Sequence, residues 1–190
     1  MKRFVVILWV AWSAVAAQRY SYWVAPCTRA DTGCQAGDEE LANWAFEAWQ
    51  KASNGLLEFD RVDDPQHAQI RVLWASGQAG LYGETRRIEV DGKPGANVYV
   101  LPTPLGPHDD RLMRDAVVYL TCLHETGHAL GLAHTREFED IMYSFQYGGD
   151  IDEYFARYRR RLTTRADIRK NSGLSEADRS HLLHATDGHK

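Results

Sequence analysis

The sequence predicts an α+β fold, a small mixed sheet combined with helices, from three observations. Short runs in the first hundred residues alternate apolar and polar or small side chains, which is typical of strands. Apolar residues recur at helical spacing after Asp38, after Asp110 and after Asp150. The chain has 190 residues, and the part that follows a short apolar N-terminal run has the size of one domain with its own core.

The elements follow in order along the chain. Tyr20 to Val24 alternates aromatic and small residues and predicts a first strand. Asp38 is expected to cap a helix that runs to about Ser53 and ends at Asn54-Gly55. Further strands are predicted at Leu56 to Val62, Gln69 to Trp74, Arg87 to Val90 and Asn97 to Leu101.

The last two of these strands flank the turn-rich sequence Asp91 to Gly95 and are predicted to form a hairpin. Either Asp109 or Asp110 is expected to cap the long helix that follows. Its apolar positions before the first histidine are Leu112, Val117, Leu120 and Leu123.

The end of this helix carries three imidazoles and one carboxylate in eleven residues. His124 and His128 are four residues apart and therefore lie on one helix face. Glu125 lies about 100° round from His124, where it can reach a metal-bound water. Gly131 permits a sharp reversal of the chain, which can bring in His134 as a third ligand.

Three protein ligands with an open fourth position describe a catalytic zinc site, because structural zinc sites are closed by four ligands. Two histidines at helical spacing also occur by accident on surface helices. The presence of Gly131 and His134 at the expected positions after His128 argues against such an accident. Asp140-Ile141-Met142-Tyr143 follows closely, so that Met142 is placed where a turn can pass beneath the metal.

These residues resemble the metzincins, metalloproteases with the motif His-Glu-x-x-His-x-x-Gly-x-x-His and a Met-turn. Within that group the chain is most similar to the matrixins. Thr135 follows the third histidine, and Met142-Tyr143 resembles the matrixin Met-Tyr-Pro turn, although Ser144 replaces the proline. The resemblance extends to Ala68-Gln69-Ile70-Arg71-Val72 and to Leu174-Ser175-Glu176-Ala177-Asp178.

The resemblance implies a metzincin-type zincin domain with a small twisted sheet, an active-site helix, a Met-turn and C-terminal helices. It implies zinc on His124, His128 and His134, Glu125 as catalytic base and Met142 as an apolar floor. An edge strand within Gly80 to Val90 would pair with an extended peptide substrate. The segments that hold a structural zinc and calcium in matrixins are missing here, so a single zinc ion is expected.

The segment of about 150–170 departs from the family pattern. Ile151, Tyr154, Phe155, Tyr158 and Leu162 recur at helical spacing, and arginines occupy the other faces. An extra helix docked on the domain explains this pattern. The alternatives are an exosite for acidic substrates or a wall of the specificity pocket, and binding to a membrane surface.

Residues 1–17 have the pattern of a signal peptide, with a basic start, an apolar run and small residues at its end. We therefore expect an exported protein, secreted or periplasmic, with residues 18–190 as one catalytic domain and no stable membrane insertion after cleavage. Cys27 and Cys34 are expected to form a disulfide and Cys122 a buried free thiol. A net charge of −4 gives no reason to expect a nucleic-acid partner.

The sequence thus predicts a secreted, monomeric zinc endopeptidase that acts on peptides or proteins. One alternative is a secreted zinc-binding or peptide-binding module without turnover. Another is an exopeptidase or a hydrolase of other amides.

Overall fold

A computed structural model of the chain describes residues 16–77, 82–102 and 110–187. Its main elements are β1 (Gln18–Val24), α1 (Asp38–Ala52), β2 (Leu57–Arg61), β3 (Ile70–Trp74), β4 (Gly83–Val90), β5 (Lys93–Val100), α2 (Arg111–Ala129), α3 (Ile151–Arg159), α4 (Asp167–Lys170) and α5 (Glu176–Asp187). Nearly all of the predicted signal peptide lies outside the described residues, as do Gly80, the start of the predicted edge strand, and Asp109, one of the two predicted caps.

The five strands form one mixed sheet in the order β2-β1-β3-β5-β4. Neighbouring strands run parallel except β4, which is antiparallel to β5. In the described part of the chain β4 therefore has a strand neighbour on one side only. The α+β class is confirmed, and the predicted β1, β2 and β3 agree with the observed strands to within two residues.

The hairpin differs from the prediction, because its turn has two residues instead of five. Asp91 and Gly92 both adopt positive φ, 50° and 72°. This conformation at both central positions matches the twist of the flanking strands, and an Asp-Gly pair favours it. As a result β4 and β5 are longer than predicted, and they pair from Gly83 opposite Val100 to Val90 opposite Lys93.

The role predicted for Asp38 was wrong. Helix α1 begins at Asp38 itself, and Gly37 occupies the capping position. The carboxylate of Asp38 accepts hydrogen bonds from Arg114 of α2, at 2.7 Å for the longer contact, and both side chains are buried. Breaking a buried ion pair leaves one charge buried without a partner, which costs more free energy than losing a helix cap that water can replace. Asp38 therefore pairs with Arg114 instead of capping α1.

Helix α2 packs against α1 and against strands β4 and β5 of the sheet. Asp110 caps it by accepting hydrogen bonds from the backbone N–H groups of Leu112 and Met113. Near its other end the indole N–H of Trp49 in α1 donates to the carbonyl of Leu123, at 2.9 Å in the core. Contacts with α1 therefore hold both halves of this helix, through Arg114 and Asp38 in the first half and Leu123 and Trp49 in the second.

The segment of about 150–170 forms two helices, α3 and α4, where one was predicted. The carboxylate of Asp167 accepts hydrogen bonds from the N–H groups of Thr163 and Thr164, which turns the chain between them. Ion pairs join Arg159 to Asp110, Arg160 to Glu153, Arg165 to Asp115 and Arg169 to Glu47. Three of these pairs dock the segment on α1, α2 or the capping residue of α2, as expected of an added helical layer.

Cys27 and Cys34 are joined in a disulfide ahead of α1. Cys122 is a free thiol that is fully buried, as predicted. None of the helices in the described part of the chain is both long and apolar enough to cross a membrane.

The disulfide closes a loop with a sequence separation of seven residues. By loop-closure entropy, Cys27→Ser with Cys34→Ser should lower the free energy of unfolding by about 2–3 kcal/mol. Urea titrations of both proteins measure this difference. A reductant should cause a similar loss in the wild type and none in the double variant, and equal stability of the two proteins would contradict the prediction.

Candidate metal centre

Three imidazole nitrogens converge beside the end of α2. The Nε2 atom of His134 lies 3.2 Å from Nε2 of His124 and 3.1 Å from Nε2 of His128. Tetrahedral zinc with Zn–N bonds of about 2.0–2.1 Å would hold such nitrogens ~3.3 Å apart. The spacing therefore fits one metal ion bound by the three predicted ligands.

The other ring nitrogens decide which tautomers are present. Nδ1 of His124 lies 2.6 Å from the carbonyl oxygen of Ile141, and Nδ1 of His128 lies 2.9 Å from that of Leu132. Because a carbonyl only accepts, each Nδ1 carries the proton and leaves a lone pair on Nε2. The lone pairs of His124 and His128 thus both face Nε2 of His134, where a shared cation could bind all three nitrogens. The donor set thus fits a metal that prefers imidazole.

Burial also keeps these imidazoles neutral. Desolvation, with a smaller contribution from the neighbouring His128, lowers the pKa of His124 to about 4. Desolvation likewise lowers the pKa of His128 and of His134. Neutral imidazole is the form that binds metal, so the site is prepared for binding below the ordinary histidine pKa.

The reversal after α2 is built as predicted. Gly131 has φ of 92°, a conformation that favours glycine. The returning chain brings Thr135 beside the Met-turn, where its N–H donates to the carbonyl of Met142 at 2.8 Å. Met142 is fully buried, and its sulfur contacts Gly127, the residue before His128. Met142 therefore lies beneath the end of α2, in the place predicted for it.

Asp178 of α5 fixes the Met-turn from behind. Its fully buried carboxylate accepts hydrogen bonds from the N–H groups of Ile141 and Met142, at 2.9 and 3.4 Å. Burial raises the pKa of Asp178 above its ordinary value, although the hydrogen bonds from Ile141 and Ser175 oppose this shift. Sequence reasoning gave Asp178 no role, since nothing local links it to a turn more than thirty residues earlier.

Glu125 lies beside the histidines and points towards β4. The hydroxyl of Thr85 lies 2.7 Å from its Oε2 and 2.9 Å from its backbone oxygen. Desolvation raises the pKa of Glu125 to about 7, although the Thr85 hydrogen bond opposes this shift. A carboxyl group with that pKa can both accept and release a proton near neutral pH. The sequence gave no sign of Thr85, because strand and helix meet only in the fold.

A cavity of 380 Å³ opens between β4, α2 and the Met-turn. Glu125 and the three histidines line it, together with the aromatic residues Tyr82, Tyr143, Phe145, Tyr154 and Phe155. Tyr143 has the packing role that was predicted, since its hydroxyl donates to the carbonyl of Gly148 at 2.8 Å. The site is thus a mainly apolar cleft lined by two acidic side chains, Glu84 and Glu125, and by the three imidazoles.

A second group of potential ligands, Cys27, Cys34 and Asp38, also lies close together. The disulfide and the Arg114 ion pair already occupy these side chains. In the described part of the chain, the histidine group is therefore the one whose donor atoms are available to a metal.

Comparison with known proteins adds one match. A family model described as the M10 peptidase family, matrixin, matches residues 108–154, which hold α2, the three histidines and the Met-turn. The match leaves out the sheet, α1 and α5, so it is a partial likeness that hints at zinc metalloprotease function. No curated protein matches the chain.

The lowered imidazole pKa values predict how zinc affinity depends on pH. Three ligands with the ordinary pKa of 6.5 would lose affinity about 50-fold between about pH 7.5 and about pH 6. Since the neutral form of His124 persists to about pH 4, we expect a loss below about 10-fold. Chelator competition with the Glu125→Gln variant measures this, because only the imidazoles then titrate nearby. A 50-fold loss would show that the ligands titrate as free histidines.

Proposed function

We propose that this protein is a secreted zinc-dependent endopeptidase, with His124, His128 and His134 as ligands and Glu125 as general base. The observation that carries the proposal is the convergence of three Nε2 atoms beside a buried carboxyl group in one cleft. The matrixin likeness of residues 108–154 supports it. The proposal includes one zinc ion, no obligatory calcium, and a monomer exported after removal of residues 1–17.

Zinc on three neutral imidazoles would lower the pKa of water from 15.7 to about 7 and polarise a substrate carbonyl. Glu125 then performs the proton transfers: its carboxylate takes a proton from the attacking water and delivers it to the departing amine. Its pKa of about 7 suits both steps near neutral pH. The buried Met142 side chain keeps solvent from the underside of the ligand helix.

The edge strand β4 gives a place for an extended substrate. Backbone hydrogen bonds to such an edge hold a peptide in register without demanding a particular sequence. Gly83 to Thr85 line the same cavity as the histidines, so a peptide paired with β4 would pass beside them. This arrangement favours cleavage within a chain over removal of terminal residues.

Replacing the general base tests turnover separately from metal binding. Glu125→Gln should bind zinc as the wild type does, because Glu125 is not a ligand, yet lose about 10²–10⁴-fold in kcat. Bound zinc measured by mass spectrometry and cleavage of a denatured proteome give the two readouts.

The matched control is Glu137→Gln, an exposed acid outside the cleft. Undiminished cleavage by the Glu125 variant would refute the mechanism. A wild type that binds zinc but cleaves nothing would favour the binding module, and products shortened only at chain ends would favour an exopeptidase.

The pocket wall contributed by α3 predicts a side-chain preference. Phe155 lines the cavity and packs against Tyr82, with ring centroids 5.0 Å apart and the ring planes tilted by 54°. We expect bulky apolar residues after the scissile bond, and Phe155→Leu should shift the preference towards larger ones by enlarging the space. Sequencing the products from a peptide library measures the shift. Phe59→Leu, in β2 away from the cleft, is the control, and an unchanged profile for the Phe155 variant would contradict the assignment.

A further inference from the structure

We propose that Thr85 and Gly83, two residues of β4, are positioning residues that together set the orientation of the Glu125 carboxylate. Thr85 holds one carboxylate oxygen, and Gly83 leaves room for the other. The inference rests on the proposed function for its effect on catalysis. Its structural part concerns only the contact between β4 and α2.

Thr85 is placed to select one oxygen of Glu125. Its hydroxyl has a single proton and lies closer to Oε2, at 2.7 Å, than to the Glu125 backbone oxygen, at 2.9 Å. A hydrogen bond to a carboxylate is also stronger than one to a carbonyl. Within the described part of the chain Oε1 receives no hydrogen bond, so it remains available to a molecule in the cleft.

Gly83 provides the space that this orientation needs. A Cβ at this position would lie 2.6 Å from Cγ of Glu125, 2.8 Å from Oε1 and 2.9 Å from Cγ2 of Thr121. Real Cβ atoms do not approach other atoms so closely, so any larger residue would push the Glu125 side chain away. Gly83 does not have positive φ. Position 83 therefore requires glycine because there is no space for a side chain, and not because of its backbone conformation.

The two residues are neighbours on one face of β4, because side chains two positions apart in a strand point the same way. That face meets α2 at Thr121 and Glu125, one helical turn apart. The strand proposed to pair with the substrate thus also orients the group proposed to activate water. A substrate backbone that pairs with β4 would therefore also have a fixed position relative to Oε1 of Glu125.

Three variants test the role of the hydrogen bond and of the space. Thr85→Val keeps the shape and removes the donor, so kcat should fall about 10–100-fold, with KM within about twofold. Thr85→Ser restores the hydroxyl and should recover most of that loss. Gly83→Ala should lower kcat at least about 10-fold, because it displaces Glu125.

A matched control separates this role from general destabilisation. Thr186 is half-buried in α5, and its hydroxyl donates to the backbone carbonyl of Leu183 at 2.9 Å. Thr186→Val makes the same chemical change far from the cleft and should keep the wild-type kcat. Zinc affinity should stay within about twofold in every variant, since Thr85 and Gly83 contact no ligand.

Crystal structures of the variants give a readout that needs no turnover. Glu125 should keep its orientation in Thr85→Ser and lose it in Thr85→Val and in Gly83→Ala. An unchanged Glu125 in the latter two would overturn the inference, as would a Thr85→Val enzyme with wild-type kcat. If the wild type cleaves no peptide while Glu125 still moves as expected, the positioning role is supported and the proposed function fails.

Discussion

The hydrogen bond between Nδ1 of His124 and the carbonyl of Ile141, 2.6 Å long, is the contact on which the candidate metal centre depends. It fixes the tautomer of His124 and ties the end of α2 to the Met-turn. The N–H of Ile141 is in turn held by Asp178 of α5. The orientation of the His124 lone pair therefore depends on Ile141, which is 17 positions away in the chain, and on the more distant Asp178. The orientation of His128 depends on the nearby Leu132.

Orienting side chains in this way requires polar groups in the core, and most of these groups have a hydrogen-bond or ion-pair partner. In the first half of α2, Arg114 and Asp115 are buried and contact Asp38 and Arg165. In the second half the buried carboxyl group is that of Glu125, which accepts a hydrogen bond from the Thr85 hydroxyl and has a raised pKa. The ion pairs of Arg114 and Asp115 hold α2 in place, because removing one member of a buried pair leaves the other charge without a partner. The second half of α2 has a carboxyl group that can exchange its proton, which is what a general base needs.

The features predictable from the sequence are those set by local geometry. The spacing of His124 and His128, the reversal at Gly131 and the cap at Asp110 each depend on a few neighbouring residues. The roles of Asp38, Thr85 and Asp178 could not be predicted, because each depends on a partner from a distant element. The two-residue turn at Asp91-Gly92 and the break between α3 and α4 were missed for a different reason: more than one local solution fits those residues, and packing selects among them.

The segment after Met142 connects the proposed substrate pocket to the candidate metal centre. Tyr154 and Phe155, adjacent in α3, both line the cleft. Tyr154 also donates from its hydroxyl towards the carbonyls of Asp140 and Ile141, at 3.0 and 3.3 Å. The carbonyl of Ile141 is the one that orients His124, so a change at Tyr154 would reach the ligand geometry. Phe155 has ring contacts but no such hydrogen bond. The pocket can therefore vary at Phe155 at little cost to the metal centre, while Tyr154 is constrained by both functions.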